Sequence, residues 1–200
     1  GHDTSAPSPI ACPVFDETPH ELTTEEVWDN IHMFGDAAVR AKKAGFDGVE
    51  IHAGHGYLVQ QFLSQFSNRR YDEFGGSIEN RARFACEICK DIKKKCGEDY
   101  PVIIKLSGEE KVPGGMTISD TKIIAKYLEE AGYDAIEVTI CNYASLDWMS
   151  APEDEPMGFN AYNAEKIKEG VHIPVAAIDR INTPEIAEDI IETGKADFVS

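Results

Sequence analysis

Residues 47–57 read Asp-Gly-Val-Glu-Ile-His-Ala-Gly-His-Gly-Tyr, and the alternation within them decides the fold. Val49 and Ile51 fall on one face of a strand, Glu50 and His52 on the other. The same pattern returns twice. Ile104 and Leu106 oppose Lys105 and Ser107, and Ile136 and Val138 oppose Glu137 and Thr139. Further strands are expected over residues 173–178 and from Asp197 onward. Between them lie helical patterns. One follows the capping box Thr23-Thr24-Glu25-Glu26, and others span about 78–96, 119–132 (capped by Ser119) and 162–169. The last opens on Thr183-Pro184 and runs to Gly194.

Helices alternating with short apolar strands mean parallel β/α crossovers. A doubly wound open sheet matches the count, but helices on both sides would make both strand faces apolar. Here one face carries charge toward its C-terminal end, as a barrel interior with a ligand at its top would. The expected fold is therefore α/β, an incomplete (β/α)8 TIM barrel of about strands 4 to 8 with their helices, over residues 23–200. Residues 1–22, with Pro7, Pro9, Pro13 and Pro19, read as an extended connection and not as an element. The start at Gly1 and the stop at Ser200 within a strand suggest a segment of something longer.

Composition narrows the function. Nineteen Lys and Arg against 36 Asp and Glu leave a formal charge of -17, which disfavours nucleic-acid and membrane-surface partners. No apolar run approaches a bilayer span. Five scattered Cys (Cys12, Cys86, Cys89, Cys96, Cys141) point to reduced thiols and a cytoplasmic setting.

The densest polar stretch is His52-Ala53-Gly54-His55-Gly56-Tyr57, at a strand end where barrels build active sites. Two imidazoles across a Gly turn can aim at one polar atom, and a phenol two residues on can donate a proton. The set suits an electrophilic clamp on a carbonyl oxygen with a general acid. Each residue alone would be ordinary packing. His-x-x-His with Glu50 could instead hold zinc, but a third ligand is missing, since His172 lies at the wrong end and Cys141 is the remaining candidate. Cys86-x-x-Cys89 reads as helix-face thiols. Lys105 lies on the strand between those of Glu50 and Glu137, so an acid–Lys–acid cluster is expected in the lumen. A Schiff-base role for Lys105 is the alternative to a fixed positive charge, and a binding module without catalysis is the non-enzyme alternative.

From Gly45 to Phe84 the chain reads GFDGVEIHAGHGYLVQQFLSQFSNRRYDEFGGSIENRARF. This ordered succession closely resembles the Old Yellow Enzyme family, the NADH:flavin oxidoreductases. Looser similarity continues through VIIKLS, the Pro-Gly-Gly of 113–115, EEAGYDAIEV and PVAAIDRINTPEIAEDIIETGKADFVS. The pattern looks most like the branch containing 2,4-dienoyl-CoA reductase, which often carries an iron–sulfur cluster.

The resemblance implies an FMN-dependent ene-reductase barrel that takes NADH or NADPH as reductant and a small unsaturated carbonyl compound as substrate. His52 and His55 match the pair that binds the substrate oxygen, and Tyr57 matches the proton donor to the α-carbon. Lys105 matches the basic residue at the flavin N1/O2 edge, and Arg180 lies in the loop approaching the FMN phosphate. Asp179 stands where that loop often has Gly, and Lys105 cannot fork onto two acceptors as Arg does. No metal is implied within these residues; an iron–sulfur cluster and FAD would belong to other regions of a parent protein, which is also open to homo-oligomer formation. Flavin contacts from the first three strands and after strand eight are missing here, so residues 1–200 alone are not expected to retain FMN.

Overall fold

The computed structural model describes residues 4–151 and 153–200; residues 1–3 of the expected N-terminal connection lie outside that range. Strands β1 (Ser5–Ala6) and β2 (His20–Glu21) pair in parallel apart from the main sheet. The N-terminal connection thus contains a short paired element that its composition did not announce. Helix α1 (Thr24–Lys43) follows, then β3 (Val49–Ala53), α2 (Leu58–Leu63), α3 (Ile78–Cys96), β4 (Val102–Ser107) and α4 (Ile118–Ala131). The chain continues through β5 (Ala135–Thr139), a 3-10 helix (Tyr143–Trp148), α5 (Ala161–Lys168), β6 (Val175–Ala177), α6 (Pro184–Glu192) and β7 (Phe198–Val199).

Strands β3 to β7 form one parallel sheet in sequential order. A doubly wound sheet reverses its order at a switch point; none occurs here. Crossovers of one hand put the helices on one side, and the result is the curved wall of a partial TIM barrel. The helix-facing row of Ile51, Ala53, Val102, Ile104, Leu106, Ile136, Val138, Val175 and Ala177 is buried, each large side chain contributing about 1.5–3 kcal/mol. Opposite it, Glu50, His52, Lys105, Glu137 and Ala176 stay partly exposed along the lumen.

Local chemistry sets the boundaries. Thr23 and Glu26 make the reciprocal capping box of α1. Helix α4 is capped by Thr117, whose side chain accepts from the Asp120 N–H, so the cap lies two residues before the expected Ser119. Strand β6 is only three residues long. Helix α2 and the 3-10 helix had no sequence signal, being six residues each and too short for a helical period to show.

The Ser-Asn-Arg-Arg run has a structural use. Arg70 is buried and donates to the carbonyls of Pro7 and Leu22, and through Nε (3.0 Å) and Nη2 to both oxygens of Asp72. Asn68 Nδ2 donates to the Phe62 and Phe74 carbonyls at 2.7 and 2.8 Å. Together they fasten the β1–β2 segment to the loop ahead of α3.

Candidate active site

At the end of β3 the backbone turns sharply. His55 and Gly56 adopt positive φ of 57° and 80°, and a Cβ on Gly56 would lie 2.8 Å from the Tyr143 nitrogen, so only glycine fits there. The Gly56 N–H donates to Gln60 Oε1 at 2.7 Å, from the first turn of α2. This turn brings the three expected residues together. The His52 and His55 rings lie 5.1 Å apart at 72°, and His52 and Tyr57 lie 5.0 Å apart at 51°. Tyr143, from the 3-10 helix, packs edge-on to Tyr57 at 5.6 Å. Tyr57 is exposed, while His52 Nδ1 is buried without a hydrogen-bond partner.

Strand register sets Lys105 beside His52 and Glu137 beside Lys105. Lys105 Nζ lies 2.7 Å from Glu137 Oε1. Burial opposes the Lys105 charge, but the Glu137 hydrogen bond and the charges of Glu137, Glu50 and Asp179 outweigh it and raise the pKa. An ammonium held this firmly is a poor amine nucleophile, which argues against a Schiff base. Glu50 is raised by burial and by Glu137. The acid–Lys–acid cluster is thus present in the lumen, with the direct ion pair to Glu137 and with Asp179 as a member the sequence reading did not place there.

Burial pushes His55 down to about 4, assisted by the charges of His52 and Lys105, and burial followed by Lys105 lowers His52. Both imidazoles are neutral at pH 7. His55 Nε2 meets Thr139 Oγ1 at 2.8 Å. Asp179 and Arg180 both have left-handed backbone, with φ of 79° and 58°. The Arg180 carbonyl accepts from the Gly158 N–H at 3.0 Å, and Asp179 Oδ2 accepts from Asn160 Nδ2 at 2.8 Å. Asp179 therefore turns toward β5 and the start of α5.

A buried hub beneath the turn was missed by sequence reasoning. Glu110 accepts from Gln60 Nε2 (2.8 Å), Ser64 Oγ (2.5 Å) and the Met116 N–H (2.7 Å). Ser107 Oγ donates to the Cys141 carbonyl at 3.0 Å, and Ser145 Oγ to the Glu110 carbonyl at 2.6 Å. These bonds lock the loops after β3, β4 and β5 to one another. Their residues lie in unremarkable polar stretches, so nothing in the sequence marked them, although Thr139 was legible as a lumen-facing position. Beside Tyr57 a cavity of about 600 Å³ opens, lined by Ile10, Cys12, Phe15, Phe66 and Tyr143 among others.

The remaining candidates disperse. The His172 side chain is 96% exposed and lies 3.5 Å from Glu129 Oε2, just ahead of β6. Cys86, Cys89 and Cys141 are buried free thiols, each pushed up to about 12 chiefly by burial. Among the described residues no three His, Cys, Asp or Glu side chains converge as a metal site would require, and no helix is long and apolar enough to cross a membrane.

Comparison with known proteins places this geometry. The family model described as NADH:flavin oxidoreductase / NADH oxidase matches residues 4–200. The chain belongs to that family. It is 48% identical over 195 residues to an NADH oxidase of Thermoanaerobacter brockii, covering 98% of this chain and 30% of the relative. A cinnamate reductase of Clostridium sporogenes is 42% identical over 198 residues, covering 92% of this chain and 30% of that protein. Among solved structures, a 2-naphthoyl-CoA reductase complexed with 2-naphthoyl-CoA aligns with a TM-score of 0.90 at 33% identity, over 98% of this chain and 30% of that one. The Old Yellow Enzyme homologue of Zymomonas mobilis aligns at 0.81 and 25% identity, over 100% of this chain and 57% of that one. The chain thus spans about 30% of the length of these two curated relatives. As a member of this flavin oxidoreductase family, it carries the charged lumen and the His–His–Tyr turn on a single continuous wall.

Proposed function

We propose that this chain supplies the proton-donating and carbonyl-binding wall of an FMN-dependent ene-reductase that reduces the activated C=C of α,β-unsaturated carbonyl compounds with NADH or NADPH in the cytoplasm. The observation that carries the reading is the convergence of His52, His55 and Tyr57 over a lumen ammonium. The names of the cinnamate reductase and the 2-naphthoyl-CoA reductase among its relatives favour a conjugated acid derivative as substrate.

The residues fit the flavin. Lys105, held in its charged form, suits an electron-rich ring edge, and the orphaned His52 Nδ1 is a polar atom awaiting a ligand. Lys105 would hold the pyrimidine edge of the ring and Arg180 the phosphate. Bound FMN would supply hydride transfer from the nicotinamide to the β-carbon. His52 and His55 would bind and polarise the carbonyl oxygen. Being neutral, they would act as hydrogen-bond donors and not as charges. Tyr57, exposed toward the cavity, would deliver the proton to the α-carbon, and the Tyr143 ring packed at 5.6 Å would fix its orientation.

The test is Tyr57→Phe in a full-length flavoprotein carrying this chain. Loss of a general acid slows its step by about 10²–10⁴-fold. Flavin reoxidation by an enone is therefore expected to slow by that factor, while flavin reduction by NAD(P)H stays nearly unchanged. Equal slowing of both half-reactions would overturn the assignment.

A further inference from the structure

The cavity beside Tyr57 has no part in the chemistry derived so far. Its volume of about 600 Å³ lies in the range of small-molecule sites. A series of ring contacts joins it to the imidazoles. His52 meets Tyr57 at 5.0 Å, Tyr57 meets Tyr143 at 5.6 Å, and Tyr143 meets Phe15 at 6.1 Å. Phe15 is 68% exposed, Tyr57 44% and Ile10 39%, and all three line the cavity. One exposed apolar side chain is ordinary on a protein surface, but three around one concavity mark a surface built to be covered.

The wall is formed before any ligand arrives. Loop 12–17 closes on itself, the Cys12 N–H donating to the Glu17 carbonyl and the Asp16 N–H to the Cys12 carbonyl, each at 2.9 Å. The segment before it is fastened by Arg70 Nη1, which donates to the Pro7 carbonyl at 3.1 Å. Phe15 thus stands on a tied-down loop against the Tyr143 ring. The polar side chains of the wall are largely spent on the protein. Glu17 Oε1 accepts from Thr4 Oγ1 at 3.1 Å, Ser67 Oγ donates to the Gln61 carbonyl at 2.9 Å, and Glu110 holds the three donors described above. Among the described residues no Lys, Arg or His lines the cavity, while Glu17 and Glu110 do. An anionic group placed there would meet two carboxylates and no counter-charge.

We infer that this cavity receives an uncharged aryl arm of the substrate, borne on its β-carbon, and that two residues set its selectivity: Phe15 by packing on the arm and Glu17 by turning anionic arms away.

The inference rests on the function proposed above and names the substrate's shape. A carbonyl oxygen held by His52 and His55, with its α-carbon at Tyr57, directs the β-substituent past Tyr57, away from the imidazoles and toward Tyr143 and Phe15. The acid or thioester end of a conjugated acid derivative stays at the imidazoles, so its charge does not enter the cavity. The arm that does enter meets ring faces and edges, which an aromatic group fills with favourable offset or edge-on contacts.

The experiment is calorimetric titration of an oxidised full-length flavoprotein carrying this chain with two saturated ketones, 4-phenylbutan-2-one and its para-carboxylate. Neither has a C=C to reduce, so binding is read without turnover. The phenyl ketone is expected to bind at least about tenfold more tightly, because the para-carboxylate faces like charge. Phe15→Ala, a change at an exposed position, should weaken the phenyl ketone about 2–10-fold, the loss of one aromatic contact. Glu17→Lys should reverse the preference between the two ketones. Equal affinities for both, binding of neither, or a phenyl-ketone affinity untouched by Phe15→Ala would overturn the inference. A phenyl ketone that shows the expected preference yet is indifferent to His52→Ala would fault the carbonyl-binding reading and leave the cavity's assignment standing, so the two fail separately.

Discussion

Replacing Asp179 by Asn should stabilise the protein at neutral pH, and the size of the effect follows from the site. Asp179 is raised from the ordinary 3.8 to about 6, chiefly by burial. Each tenfold change in proton affinity is worth about 1.4 kcal/mol, so ionised Asp179 costs the folded state at most about 3 kcal/mol. The sign is set by proton binding. Between pH 3.8 and about 6 the folded carboxyl holds a proton that the unfolded one has lost. Stability therefore falls as pH rises through this window, and the full cost applies above it. Asn keeps the acceptor for Asn160, tolerates the left-handed backbone at φ 79°, and carries no charge to desolvate. For a chain of this length about 1 kcal/mol corresponds to about 2–4 °C. Thermal unfolding followed by circular dichroism should thus show Asp179→Asn melting up to about 6–12 °C above wild type at pH 7.5, with the gap closing by pH 4. A variant that melts lower at pH 7.5, or a gap that does not change with pH, would refute the argument that burial dominates at Asp179.

Two further outcomes are expected. Arg70→Met strips the donors from the Pro7 and Leu22 carbonyls and leaves the partly exposed Asp72 without its fork; leaving such acceptors unsatisfied costs about 1–3 kcal/mol, so protease cleavage within residues 4–22 should accelerate while the barrel wall resists. Cleavage at the wild-type rate would show that Arg70 does not fasten the segment. Gly56→Ala places a Cβ 2.8 Å from the Tyr143 nitrogen at a φ of 80°, so it should displace both Tyr57 and Tyr143, costing about 1–3 kcal/mol of stability and reoxidation of a bound flavin by enone before its reduction by NAD(P)H. An unperturbed melting temperature would contradict this.

The alternation of Glu50, His52, Lys105 and Glu137 against Val49, Ile51, Ile104 and Ile136 made the barrel wall legible in the bare sequence. A strand's two faces are written directly into odd and even positions. The caps at Thr23 and Thr183 were equally readable, because a cap is a contact between residues three apart. The His52–His55–Tyr57 turn could be located for the same reason: its members are neighbours in the chain.

What the sequence alone determined was therefore local: element order, the charged lumen face, and which side chains crowd one strand end. The tertiary structure decided which partners those side chains meet. His55 meets Thr139 across 84 residues, Gln60 meets Glu110 across 50, and Arg70 meets Pro7 across 63. No periodicity announces such pairs, since a side-chain hydrogen bond depends on distances to about half an ångström that only the packed sheet and its loops supply. The burial that raises Asp179 and lowers His55 is likewise a property of the assembled wall, created when β3, β4 and β5 exclude water from the ground between them.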